Sequence, residues 1–131
     1  MPQGAQRLLR VGAALALLGV LLGAFGAHAL KNSLGAEMLA IYQTGVQYQL
    51  VHALGIVLVA ILAGAQPAWK HLMLAGWLMA AGVLLFSGSL YLLAITGVRI
   101  LGAITPLGGI CFIAAWSLLI LAPSRREDSK G

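Results

Sequence analysis

Thr44, Tyr48 and His52 recur every four residues with Gln47 beside them, so a helix there stacks a hydroxyl, a phenol and an imidazole on one face. An imidazole can carry protons or bind a metal, and a carboxylate and a guanidinium, Glu37 and Arg99, stand at the same end of the predicted helices. With the remaining hydroxyls and a second imidazole, the candidate polar pocket is His28, Glu37, Gln47, Tyr48, His52, Ser87, Ser89, Arg99 and Thr105. The sequence shows no nucleophile paired with a base, no metal-ligand spacing and no phosphate-binding loop, so no catalytic residue, metal or cofactor is expected. A haem would need His28 and His52 on one iron, yet helical rise places them at different depths.

The elements that must hold these residues follow from composition. Only 8% of the 131 residues are charged, 61% are hydrophobic and the mean hydropathy is +0.99. A soluble domain devotes about a quarter of its residues to charge, so lipid and not water is the expected surroundings. Charges bound four apolar windows, each long enough for one helical span of about 20 residues. The expected fold is an all-α integral membrane bundle of four transmembrane helices in one domain, residues 1–122, with helices at about 11–30, 36–64, 72–95 and 100–122. Residues 123–131 are polar and expected to be a disordered cytoplasmic tail.

Orientation follows from the basic residues. Arg7, Arg10, Lys70, Arg125, Arg126 and Lys130 fall on one side and only Lys31 and Arg99 on the other, which by the positive-inside rule puts both termini in the cytoplasm. The net charge of +5 is scattered singly along the chain, so nucleic acid is not an expected partner. Arg7, Arg10 and the Ala27-His28-Ala29 triplet imitate a signal peptide. The apolar stretch from Val11 to Leu30 is nevertheless of span length, and the segment is expected to be retained.

Gly19, Gly23 and Ala27 recur every four residues and form a small-residue ladder suited to close helix packing. Gly-Val-Leu-Leu occurs at 19–22 and again at 82–85, which fits a duplicated hairpin. Thr105 before Pro106 signals a helix start inside the fourth window, and a kink there is expected over irregular backbone at 100–104. Cys111 is expected to be a small buried packing residue. Trp69, Trp77, Trp116, Tyr42 and Tyr91 are read as interfacial aromatics without chemistry.

Four segments carry a resemblance: Gly-Ala-Phe-Gly-Ala-His-Ala-Leu at 23–30, Thr-Gly-Val-Gln-Tyr-Gln-Leu-Val-His-Ala-Leu at 44–54, Leu-Phe-Ser-Gly-Ser-Leu-Tyr at 85–91 and Leu-Gly-Ala-Ile-Thr-Pro-Leu-Gly-Gly at 101–109. The chain resembles the YgdD-like family, also called the domain of unknown function 423 family, and is similar to the eukaryotic transmembrane protein 256 group. Ala29 and Val51 depart from the family pattern without affecting the resemblance. The resemblance implies a small multi-pass protein of the bacterial inner (plasma) membrane with no assigned biochemical role.

Two functional expectations follow. The first is an accessory or scaffold protein that packs against a second copy or another membrane protein through its Gly-rich faces. The second is a small-solute carrier or channel whose vestibule is the outward-facing polar pocket.

Overall fold

The computed structural model describes residues 1–122, so the expected tail at 123–131 lies outside the described residues. Helix α1 spans Gln3–Phe25 and continues as a π-helical turn, Gly26–Leu30; α2 spans Ala36–Ala65. Helix α3, Lys70–Gly82, runs through a second π-helical turn, Val83–Ser87, into α4, Gly88–Thr96. A 3₁₀ segment, Arg99–Ala103, precedes α5, Thr105–Ile120. Four helical spans result, Gln3–Leu30, Ala36–Ala65, Lys70–Thr96 and Arg99–Ile120, each long and apolar enough to cross a membrane.

The first helix starts at Gln3 and not near residue 11, because Arg7 and Arg10 limit the lipid-buried stretch but not the backbone hydrogen bonding. Pro2, at φ −58°, stands just ahead of the first turn, where its missing N–H costs nothing. The third span ends at Gly97, whose φ of 72° is left-handed and whose N–H returns to the Leu93 carbonyl at 2.8 Å. Glycine adopts that conformation without the Cβ penalty.

The fourth span corrects one expectation. The chain before Pro106 is neither a kinked α-helix nor irregular backbone but a tight 3₁₀ segment, joined to α5 at Ile104. Pro106 supplies no N–H to the first turn of α5, which needs none. Thr105 does not cap that helix with its side chain; its hydroxyl is bonded across the bundle.

Helix α2 is the central element, packed against α1, α3 and α4, while α5 lies against α3 and the π-turn that follows it. Its contact with α1 is an antiparallel glycine seam. Cβ atoms added at Gly12, Gly19 and Gly23 would meet Ile56, Leu50 and Val46 at 2.9, 2.7 and 3.2 Å, and one at Gly26 would strike the Tyr42 ring. The ladder of Gly19 and Gly23 is therefore spent inside the molecule, and Ala27, the third expected rung, is exposed. It is not a free face for a partner. The two Gly-Val-Leu-Leu copies are alike in packing: Gly19 abuts Leu50 and Gln49 on the next span, and Gly82 abuts Phe112 and Gly108 on the span after its own.

Burial is inverted relative to a water-soluble protein. Ile120 and Ile100 are 82% and 77% exposed, whereas Ser87, Gln49 and His52 are 0%, 3% and 5% exposed. Around such a surface water would be strongly unfavourable, at about 25 cal/mol per Å² of apolar area, and hydrocarbon is not. The chain is a membrane bundle with largely apolar outer faces and with Ser87, Ser89, Gln49 and His52 turned inward.

Candidate functional site

The site is built from side chains that bridge helices. On α2, Gln49 donates from Nε2 to the Leu15 carbonyl of α1 at 2.8 Å and accepts at Oε1 from the Tyr91 hydroxyl of α4 at 2.7 Å. One carboxamide thus ties three spans. Tyr42 donates to the Leu22 carbonyl at 2.6 Å, and its ring packs on Tyr91 with centroids 5.2 Å apart.

The third span is tied on both sides by two serines. They lie two positions apart, hence about 200° around a helix, and so reach different neighbours. Ser87 donates to the Gly45 carbonyl of α2 at 2.7 Å. Ser89 lies 2.6 Å from the Thr105 hydroxyl of α5 and donates to the Phe86 carbonyl at 2.9 Å, which leaves Thr105 as the donor between the two hydroxyls. The widened π-turn at Val83–Ser87 offsets the residues after it from a regular 3.6-residue register.

His52 stacks on Phe112 with centroids 3.6 Å apart and planes 10° from parallel. Its Nδ1 lies 2.8 Å from the Tyr48 carbonyl and its Nε2 lies 3.0 Å from the Trp116 indole nitrogen. A carbonyl only accepts and an indole N–H only donates, so Nδ1 carries the proton and Nε2 accepts. Both ring nitrogens are occupied within the chain, and His28 is exposed; a shared iron between them has no support in this geometry. Beside His52 a lateral groove of about 530 Å³ opens between α2 and α5, lined by Tyr48, Phe86, Phe112, Ile113, Trp116 and Ile120 among others.

Depth follows from the glycine seam. Gly12, two residues from Arg10, lies level with Ile56 and Val57, so the charged end of α1 is level with residues near 60 of α2. A hydrocarbon core about 30 Å thick spans about 20 helical residues and therefore reaches to the level of Tyr42, which lies beside Gly26. His52 is then near mid-plane, as is Trp116, which bonds it instead of marking an interface. Glu37 and Arg99 lie beyond that level and pair at 3.5 Å with side chains 68% and 74% exposed. A pair that exposed contributes about 0 to 1 kcal/mol.

The expected single outward pocket is not formed. Ser87, Ser89, Thr105 and His52 come into the interior, with Tyr48 on its rim, whereas His28, Glu37, Gln47 and Arg99 are exposed. The reason is angular: the polar residues of α2 are distributed around its circumference, so Gln47 and Gln49, also about 200° apart, cannot share a face. Sequence reasoning left out Gln49, Tyr42, Tyr91 and Trp116 as bridging groups. Gln49 follows Gly45 by four residues and precedes Ala53 by four, on the small-residue face that packs inward, and that spacing was the available signal. Cys111 is half-buried on α5 and not fully enclosed. Among the described residues no three His, Cys, Asp or Glu side chains gather into a metal site.

A family model described as "Protein of unknown function (DUF423)" matches residues 22–109, which contain every candidate polar residue from His28 to Thr105. The chain is 52% identical over 112 residues to the UPF0382 membrane protein YwdK of Bacillus subtilis, covering 86% of this chain and 91% of that protein. It is 44% identical to the UPF0382 membrane protein SH2409 of Staphylococcus haemolyticus over 86% of this chain and 90% of that one. With SSP2132 of Staphylococcus saprophyticus the identity is 43%, over 85% and 91%. No solved structure matches.

Proposed function

The chain belongs to the DUF423 family of membrane proteins of unknown function, and from that premise we propose that it is a non-catalytic accessory or scaffold protein of the bacterial inner membrane, with both termini cytoplasmic. One observation carries the reading. Among the described residues no buried side-chain nitrogen or oxygen lacks a hydrogen-bond partner. The interior polar groups are committed to one another and to backbone carbonyls, which suits a part that holds its shape in lipid. Transport through the bundle would require breaking these bonds in turn, in an interior otherwise filled by Leu8, Ile56, Val59 and Met79.

The Gly19 and Gly23 faces are not the surface such a role would use, since α2 covers them. The orientation rests on the excess of Lys and Arg at the end that carries Arg7, Arg10 and Lys70.

The test sets the two functional expectations against each other. Purified protein in liposomes is expected to give no flux of small ions or neutral solutes above empty vesicles, and crosslinking in native membranes followed by mass spectrometry is expected to return the same neighbour for wild type and Glu37→Gln. Solute flux that is lost in His52→Ala or Glu37→Gln would overturn the accessory reading in favour of a carrier.

A further inference from the structure

The surface that α2 shows to lipid runs as a stripe, with Gln43 and Tyr48 exposed along the edge of its outer half. Thr44, Gln47, Val51, Leu54, Leu58 and Ile61 are all exposed, and their spacing alternates three and four residues. That is the a/d spacing of a helix seam that accepts knobs from a second helix. Five of the six suit lipid: four are aliphatic, and the Thr44 hydroxyl is bonded to the Ala40 carbonyl at 3.0 Å. Gln47 is different.

Its Cα lies about 8 Å inside the Tyr42 level, five residues at 1.5 Å each, and the side chain is exposed. Among the described residues it meets no hydrogen-bond partner, in contrast to Gln49, which is bonded at both ends. In hydrocarbon each unmet polar group costs several kcal/mol. The large exposed residues of the other spans near this depth, Leu18, Leu21, Phe25, Leu84, Leu107 and Ile110, are all apolar.

We propose that two copies of this chain pair side by side in the bilayer along the α2 stripe, with the Gln47 carboxamides of the two copies bonded to each other. A carboxamide carries both donors and an acceptor, so it complements itself. Insertion fixes the orientation of every copy, and a two-fold axis along the membrane normal therefore sets the two α2 helices parallel with each residue facing its own equivalent. A single polar residue in an apolar seam also fixes register. The pairing stands on α2 alone and does not depend on the accessory reading above.

The test is disulfide trapping in native membranes, in a Cys111→Ala background with Gln47 intact. Val51→Cys and Leu54→Cys are expected to form self-adducts at least tenfold more readily than Leu17→Cys on α1. Adding Gln47→Leu should weaken self-association by roughly 3- to 20-fold, the equivalent of one interhelical hydrogen bond in a membrane. Gln47 faces outward, so that change leaves the fold intact, and tryptophan emission of the purified variant should match wild type. Equal trapping at Val51→Cys and Leu17→Cys would overturn the proposal. So would adducts only with another protein, or self-adducts indifferent to Gln47→Leu.

Discussion

Gly108→Ala is expected to destabilise the bundle by about 3 kcal/mol or more, the upper range for overpacking, and to loosen the fourth span from the other three. A Cβ at this position would fall onto the Phe86 backbone nitrogen and lie 2.8 Å from its Cα and 2.7 Å from its Cβ. These are backbone neighbours, and no side-chain rotation relieves them. Relief requires α5 to move off the π-turn Val83–Ser87, which would also separate Thr105 from Ser89 and draw Phe112 away from His52. Gly88→Ala is the control, because nothing lies within 4 Å of the added carbon and alanine favours a helix by up to about 1 kcal/mol. Reversible unfolding in mixed micelles, followed by tryptophan emission, measures both. Equal stability of the two variants would show that α5 does not pack on the π-turn as described.

Gln49→Leu is the second large effect, expected at about 1 to 2 kcal/mol. That is the upper part of the range for interhelical hydrogen bonds in membranes, because the change also leaves the half-buried Tyr91 hydroxyl without its acceptor. The Leu15 carbonyl loses less, since it keeps its own helical N–H. Removing both partners in Gln49→Leu/Tyr91→Phe should restore most of the loss, as apolar groups of similar shape then fill the space. A double-mutant cycle therefore gives a double-variant loss well below the sum of the two single losses, a coupling opposite in sign to the Gln49→Leu loss and comparable to it in size. Independent, additive effects would mean that Gln49 and Tyr91 do not share a bond.

The two sites also show what a single sequence reveals. Charge spacing sufficed for four spans, since the energy of placing Arg10, Lys70 or Arg99 in hydrocarbon is large compared with local propensities. Helix ends were less legible: Arg7 and Arg10 mark where lipid ends, while the helix itself continues to Gln3. The two π-turns were illegible, because one extra residue in a turn leaves no mark in a uniformly apolar pattern. The inner polar groups were recognised by type, but their partners were not. Ser87 meets a backbone carbonyl, Gln49 meets one carbonyl and a tyrosine, and His52 meets a tryptophan 64 positions away. Backbone carbonyls carry no signature in sequence, and bonds to them hold much of this bundle together.

The most direct measurement is the accessibility of spin labels in the reconstituted protein, at Leu18→Cys, Leu84→Cys and Ile113→Cys in a Cys111→Ala background. These positions are 50%, 69% and 69% exposed. With hydrocarbon around the bundle, labels there collide with lipid-soluble oxygen and are screened from a water-soluble nickel chelate. The opposite ranking at Leu84 and Ile113, with nickel collisions above oxygen collisions, would place water against those faces and contradict the four-span membrane bundle.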